Sequence, residues 1–319
     1  MNLMSDPFEA FSDVDQLAED LSSPDASVRR LAVIALAETA SRQAVPYLAG
    51  AVGDADADVR QQAARALGEF DGSDVAEALV RAVADPERQV AEAAADSLTA
   101  LRDPDACGPL LTHVEHESAF VRAAILGGLK ALQVETSLVP ATGALADLEA
   151  AVRVQAVGVI GYLKRGDTVP ALIKASHDAS ADVRQAAISA LSFARGDEAA
   201  ANAAAAALRD DAWQVRLAAA ETIGRIEVPA VAPSLIAALG DPFWQIQQKA
   251  LQGLGRLRAA DAVSPIVPLL SEDNPSLRKD AAAALGEIAD PAARAPLTAR
   301  AMDPDPDVRK TVAWALSRL

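Results

Sequence analysis

A Val-Arg pair returns along this chain at an almost fixed interval. Equivalent positions are Val28, Val59, Val90, Val121, Val152, Val183, Val215, Ile246, Leu277 and Val308, stepping by 31 each time except for one step of 32 after Val183. About ten copies of one unit account for nearly the whole chain, and chance does not produce such a series.

The pair opens a helix. In VRQQAARALGEF the apolar residues Val59, Ala63, Ala66, Leu67 and Phe70 fall on one helical face. Aspartates just before it suit the N-cap and the positive end of the helix dipole. A break follows, then a second apolar segment such as VPALIKASHD from Val169. Pro46, Pro109, Pro140, Pro170, Pro233 and Pro296 recur near the start of that segment, where a missing N–H costs nothing. Each unit is thus a pair of short helices that cannot bury its apolar faces alone, and stacking joins the pairs around one core. Composition agrees. Hydrophobic residues make up 51% of the chain but aromatics only 3%, so the core is built from Ala and other small side chains in closely packed helices.

The tetratricopeptide and ankyrin signatures are absent. The units resemble the short HEAT-like repeat of the phycobilisome-lyase type, whose second helix reads D-x-x-x-x-V-R-x-x-A-A-x-A-L-G, here Asp54 to Gly68. The resemblance covers residues from about 15 to 319. It implies an all-α, right-handed α-solenoid of about ten 31-residue two-helix repeats, with a lead segment over 1–13 and one elongated domain over 14–319. It also implies that the second helices line the concave side. Arg follows the anchor in most units and Asp stands five before it in most, and the family ties such residues into a ladder between neighbouring loops. The fork of Arg suits that role.

Departures from the repeat are where function is expected. Ala91 and Gln247 replace the Arg; Ser23, His116 and Glu272 replace the Asp. His113, Glu115, His116 and Glu117 lie close in sequence to Cys107, a combination that includes metal-ligating types. The repetition of most carboxylates ties them to caps and ladder instead. Deoxyhypusine hydroxylase, a di-iron enzyme on related repeats, carries several His-Glu pairs inside its helices; this chain has one, at a loop, which excludes that enzyme.

Positions six and ten past each anchor are expected to face the concave side. They are largely charged toward both ends of the series. In the middle they read Gly127, Gly158 and Ser189 beside Ala131, Tyr162 and Phe193, followed by Arg225 and Arg256. This predicts a shallow apolar patch with two aromatics. A second cluster gathers Trp213, Phe243 and Trp244 just before two adjacent anchors, where it either fills gaps or anchors a partner.

No phosphate loop, nucleophile elbow or zinc-spaced cysteine set is present, and three His residues leave little room for acid–base chemistry. The leading expectation is a non-enzymatic scaffold or adaptor, with no cofactor, that binds a protein partner's helix or extended segment of basic character. The alternative is a bilin- or tetrapyrrole-handling subunit like the lyases the repeats resemble, with Arg225 and Arg256 pairing a pigment's propionates. A net charge of −16 argues against nucleic acid and anionic membrane surfaces. One cysteine, no long apolar run and an acidic opening lacking a signal's order predict a cytoplasmic protein. Self-association through the last repeat, around Val312, Trp314 and Leu316, and a lid formed by Phe8 and Phe11 complete the expectations.

Overall fold

The computed structural model describes residues 13–319, so Phe8 and Phe11 lie outside the described residues. Among the described residues there are twenty α-helices and no strand. They alternate in the expected pairs. The first helices are α1 (Asp13–Glu19), α3 (Val45–Ala51), α5 (Ser73–Val83), α7 (Cys107–Thr112), α9 (Leu138–Ala144), α11 (Val169–Ala175), α13 (Glu198–Ala207), α15 (Ala232–Ala238), α17 (Val263–Ile266) and α19 (Arg294–Thr298). The second helices are α2 (Ala26–Glu38), α4 (Ala57–Leu67), α6 (Arg88–Leu98), α8 (Ala119–Leu132), α10 (Ala150–Leu163), α12 (Ala181–Ala190), α14 (Trp213–Ile226), α16 (Trp244–Arg256), α18 (Pro275–Ile288) and α20 (Pro306–Arg318). The chain divides into two compact units, one ending at Leu163 and the other spanning Lys164–Leu319. Each holds five helix pairs.

The second helices form because their apolar residues share one face and polar residues hold their starts. Asp25, Asp56, Asn274 and Asp305 each accept a backbone N–H from the first turn that follows. Pro46, Pro170 and Pro233 sit in the first turn of their helices. Most first helices are short and are led in by a 3-10 turn, such as Arg42–Ala44 before α3. At their C-terminal ends several second helices stop with a left-handed residue. Ala40, Gln133, Lys164, Glu227, Arg258 and Ala289 all have φ near +50°, and Gly196 has φ +78°. These positions recur with the repeat, although most hold no glycine. The reversal into the next first helix demands that conformation, and packing over-determines it.

Small side chains let the second helices approach closely. The position four past the anchor is Ala in eight repeats and buried in all ten, with Ile125 and Val312 as the exceptions in type. Between α14 and α16 a Cβ built on Gly224 would stand 3.3 Å from the Cα of Gly253. Gly286 of α18 lies under the last helix, where a Cβ would meet Trp314 at 2.7 Å and the Cα of Ala315 at 2.8 Å. Backbone cannot yield as a flexible side chain does, so Gly286→Val is expected to destabilise the chain by about 2 kcal/mol through overpacking. Thermal unfolding of the variant checks this, and an unchanged midpoint would show that α20 packs less closely than described. Val312 is buried and Leu316 partly so, while Trp314 is exposed over Gly286 with the Arg318 guanidinium 5.9 Å from its ring centre.

Candidate functional site

The recurring Arg and Asp form the expected ladder. In the first unit Arg29 grips Asp54, Arg60 grips Asp85 and Arg122 grips Asp147, each through Nε and Nη2 to the two carboxylate oxygens. In the second unit Arg184 grips Asp210, Arg216 grips Asp241 and Arg278 grips Asp303 in the same way. The remaining Nη1 donates to two carbonyls of the preceding loop, as Arg60 does to Asp54 and Ala55 at 2.9 and 3.2 Å. One guanidinium therefore ties its own loop to the next.

The pairing holds several carboxyls below the usual aspartate range. For Asp54, Asp147, Asp210 and Asp303 the arginine hydrogen bond is the largest cause, opposed by burial. At Asp85 burial is the largest influence and pushes upward, but Arg60 and the Glu87 N–H together outweigh it.

The breaks are paired. Ala91 and His116 are 25 residues apart, the spacing of an intact Arg–Asp rung, and so are Gln247 and Glu272. Both ends of a rung have been replaced together, so no aspartate is left without its arginine. His116 keeps part of the lost role, since its Nδ1 accepts the Ser118 N–H at 3.1 Å as the rung aspartates accept from the residue two ahead. Gln247 keeps another part, donating to the Asp241 carbonyl at 2.8 Å. The residue spacing carried this pairing, but reading the Arg and Asp series separately conceals it.

The predicted central patch is not an open apolar surface. Gly127 is buried, which corrects its expected exposure. Ala131 and Gly158 are half-buried. The Lys130 stem lies across Gly158, where a Cβ would stand 2.9 Å from its Cδ, and Lys130 Nζ donates to Gln155 Oε1 at 3.2 Å. Gly158 makes room for a long polar side chain. Tyr162 is exposed at the end of α10 in the first unit. Ser189 is exposed on α12, in the second unit. Phe193 is half-buried and sits in a 3-10 turn after α12 ends, so helical projection does not place it. Arg225 is held by Glu221 at 2.6 Å, and Arg256 is exposed with Nη1 3.5 Å from the Gly224 carbonyl. The arginine meant for a pigment's propionate thus already has a carboxylate.

The loop aromatics form the more definite feature. Trp213 stacks on Phe243, ring centres 5.5 Å apart and planes 17° from parallel. The Arg216 guanidinium, while gripping Asp241, lies 5.7 Å from the Phe243 ring centre. Trp213, Phe243 and Trp244 nonetheless remain 36%, 39% and 43% exposed. Ala212 and Phe243 stand at the N-caps of α14 and α16, where four other second helices carry a capping Asp or Asn. Each forgone cap is worth about 1 kcal/mol. The second helices α6, α8 and α12 likewise make no side-chain cap bond, so it is the aromatic surface left in water, not the missing caps, that sets the ridge apart. Beside the ridge, Leu208, Arg209, Pro233, Ala237, Asp241 and Pro242 help to line a groove of about 390 Å³.

The family model for HEAT repeats matches residues 14–99, 138–224, 174–241 and 232–317, more than half of the chain. The chain belongs to the HEAT-repeat family. The matched segments of this HEAT-repeat protein pass over 100–137, the stretch that contains His116.

Among solved structures, an engineered protein is 18% identical, with 97% of this chain and 99% of that chain covered and a TM-score of 0.55. A chain from the complex of Kap95p with RanGDP, studied for nuclear import assembly, is 14% identical with a TM-score of 0.62. There the alignment covers 98% of the HEAT-repeat chain but about half, 51%, of the other. At these identities the likeness shows the fold alone. In all, 444 solved chains match, so the fold does not select a function. No curated protein matches the sequence.

Cys107, His113 and His116 do not converge. Cys107 is buried beside Thr136, and His113 Nδ1 faces the Pro109 carbonyl and Thr112. Among the described residues no three His, Cys, Asp or Glu side chains are grouped to hold a metal ion.

Proposed function

We propose that this HEAT-repeat protein is a non-enzymatic interaction scaffold whose docking site is the aromatic ridge of Trp213, Phe243 and Trp244. The observation that carries the proposal is the exposure of all three rings, two of them, Trp213 and Phe243, already fixed by stacking and by the ladder arginine Arg216. Fixed aromatics lose little conformational freedom when a partner covers them, which is why such residues serve as anchors. The adjoining groove gives an extended segment room to continue past the ridge. Asp211 is exposed next to it, and the chain's net charge is −16. Both favour a partner of basic character and speed its encounter. One structural neighbour comes from a complex in which Kap95p binds RanGDP, which is consistent with a protein-binding use of this fold. No helix among the described residues is long and apolar enough to cross a membrane.

Removing the anchors gives a direct test. Phe243→Ala/Trp244→Ala is expected to weaken partner binding by about 2–4 kcal/mol, read as a rise in Kd by calorimetry. Helical circular dichroism and an unfolding midpoint close to the wild-type value show that the variant still folds. An unchanged Kd in the folded variant removes the ridge from the account.

A further inference from the structure

The fifth repeat departs from the others by leaving hydrocarbon in water. Leu148 stands four residues before the anchor Val152, a position that holds Pro, Ala, Asp or Glu in the nine other repeats. It is 94% exposed, and Val139 of α9 is 81% exposed. Val139 lines a groove of about 580 Å³ together with Val114, Pro140, Gly143, Ala144 and Ala146. Leu148 follows Asp147, another lining residue, and adds apolar surface beside the groove. All of these residues belong to the first unit. One wall, Val114 to Glu117 in the loop before α8, falls in the stretch that the HEAT-repeat family model passes over.

Charge decides what can cover this surface. The titratable groups lining the groove are Glu115, His116, Glu117, Arg122 and Asp147. Arg122 and Asp147 neutralise each other as a complete rung, and His116 Nδ1 accepts the Ser118 N–H. Glu115 and Glu117 are exposed and form no ion pair among the described residues. Glu149, also exposed, lies near enough for its field to reach Arg122. The groove therefore joins apolar surface to an excess of carboxylate. Covering the hydrocarbon is favourable for any apolar side chain, but the carboxylates favour a basic partner and repel an acidic one. A second copy of this chain, with a net charge of −16, is a poor occupant.

We propose that the groove beside Val139 receives an extended segment of a protein partner in which an aliphatic residue is flanked by Lys or Arg. The aliphatic side chain packs on Val114, Val139 and Pro140, and the flanking cations meet Glu115, Glu117 and Glu149. In an extended segment the residues on either side of a buried one point away from it. The long stems of Lys and Arg carry their charge back to the carboxylates while covering apolar surface themselves. This site belongs to the first unit and is independent of the aromatic ridge, which belongs to the second.

The test uses the full chain with isotopically labelled Val methyls, titrated at low salt with the acetylated and amidated peptide Lys-Leu-Lys-Leu-Lys. Saturable shifts are expected at Val114 and Val139. Lys-Ser-Lys-Ser-Lys keeps the charge but not the hydrocarbon, and is expected to bind at least about tenfold more weakly. Glu-Leu-Glu-Leu-Glu reverses the charge and is expected to leave these methyls unshifted. A Cβ on Gly143 would meet nothing within 4 Å, so Gly143→Leu folds, occupies the groove and abolishes the shifts. Glu115→Gln/Glu117→Gln leaves the groove open and weakens the basic peptide by about fivefold, an effect that fades as salt is added. Phe243→Ala/Trp244→Ala leaves the shifts at Val114 and Val139 unchanged, which separates this site from the ridge. No saturable shift at Val139, equal binding of the serine or the acidic peptide, or shifts that survive in Gly143→Leu overturns the proposal.

Discussion

Arg278→Ala is expected to lower the free energy of unfolding by about 3 kcal/mol, the cost of breaking a buried ion pair from one side. The Asp303 side chain has no solvent exposure and Arg278 very little. With the guanidinium gone, the carboxylate keeps the Asp305 N–H and the weaker field of Arg300 against its own burial, and the Glu272 and Asp273 carbonyls lose their donor. Leaving a buried charge and two carbonyls unpaired costs more than the intact pair contributed. In a repeat array such a loss falls first on the nearest interface. Amide exchange in α20 should therefore quicken before exchange in α14, and denaturant unfolding should begin earlier. Arg225→Ala is the control. Its partner Glu221 is one turn away and both side chains are substantially exposed, so a change below about 0.5 kcal/mol is expected. Equal effects for the two substitutions would mean that the ladder is a surface ornament.

Acid should unfold the chain through the same groups. Asp54, Asp85, Asp147, Asp210 and Asp303 all titrate below the free value of 3.8 in the folded chain. A carboxyl whose folded pKa is depressed contributes stability that is fully present above its unfolded pKa. That stability is lost as pH falls through the folded pKa. The arginines stay charged throughout, so as pH falls through the depressed folded values each of these five rungs decays from an ion pair to a lone cation. Helical circular dichroism is expected to hold constant from neutrality to about pH 5 and to fall cooperatively below pH 3.8, with denaturant midpoints dropping first. Helix loss centred near neutrality, or native stability at about pH 2, contradicts this assignment.

The repeat, its helix pairs and the ladder were legible because each is written many times at fixed spacing. Val59, Ala63, Ala66 and Leu67 show it locally: every apolar residue of that helical face is buried. The helix ends were less legible. Residues such as Gln133, Lys164 and Glu227 adopt left-handed conformations that their types do not announce, because tertiary packing rather than propensity sets the turn. The same limit displaced the central patch. Counting ten residues past an anchor assumes an unbroken helix, yet α12 ends at Ala190 and carries Phe193 into a turn. Counting also treats glycine as open surface, whereas Gly158 is the bed for Lys130. The loop aromatics were found as matching tryptophans, but the stack joins Trp213 to Phe243, one residue off the repeat register. Residues that leave the pattern are visible in a sequence; what they touch depends on rotamers and loop paths that the pattern does not contain.

The central claim is that recurring residues hold the fold while the departures at the ridge hold a partner. It is tested most directly by affinity capture from the native host with three baits: the wild-type chain, Arg225→Ala, and Phe243→Ala/Trp244→Ala. The account predicts that at least one protein is retained by the first two and lost by the third. The same proteins on all three baits, with the third shown to be folded, would contradict it.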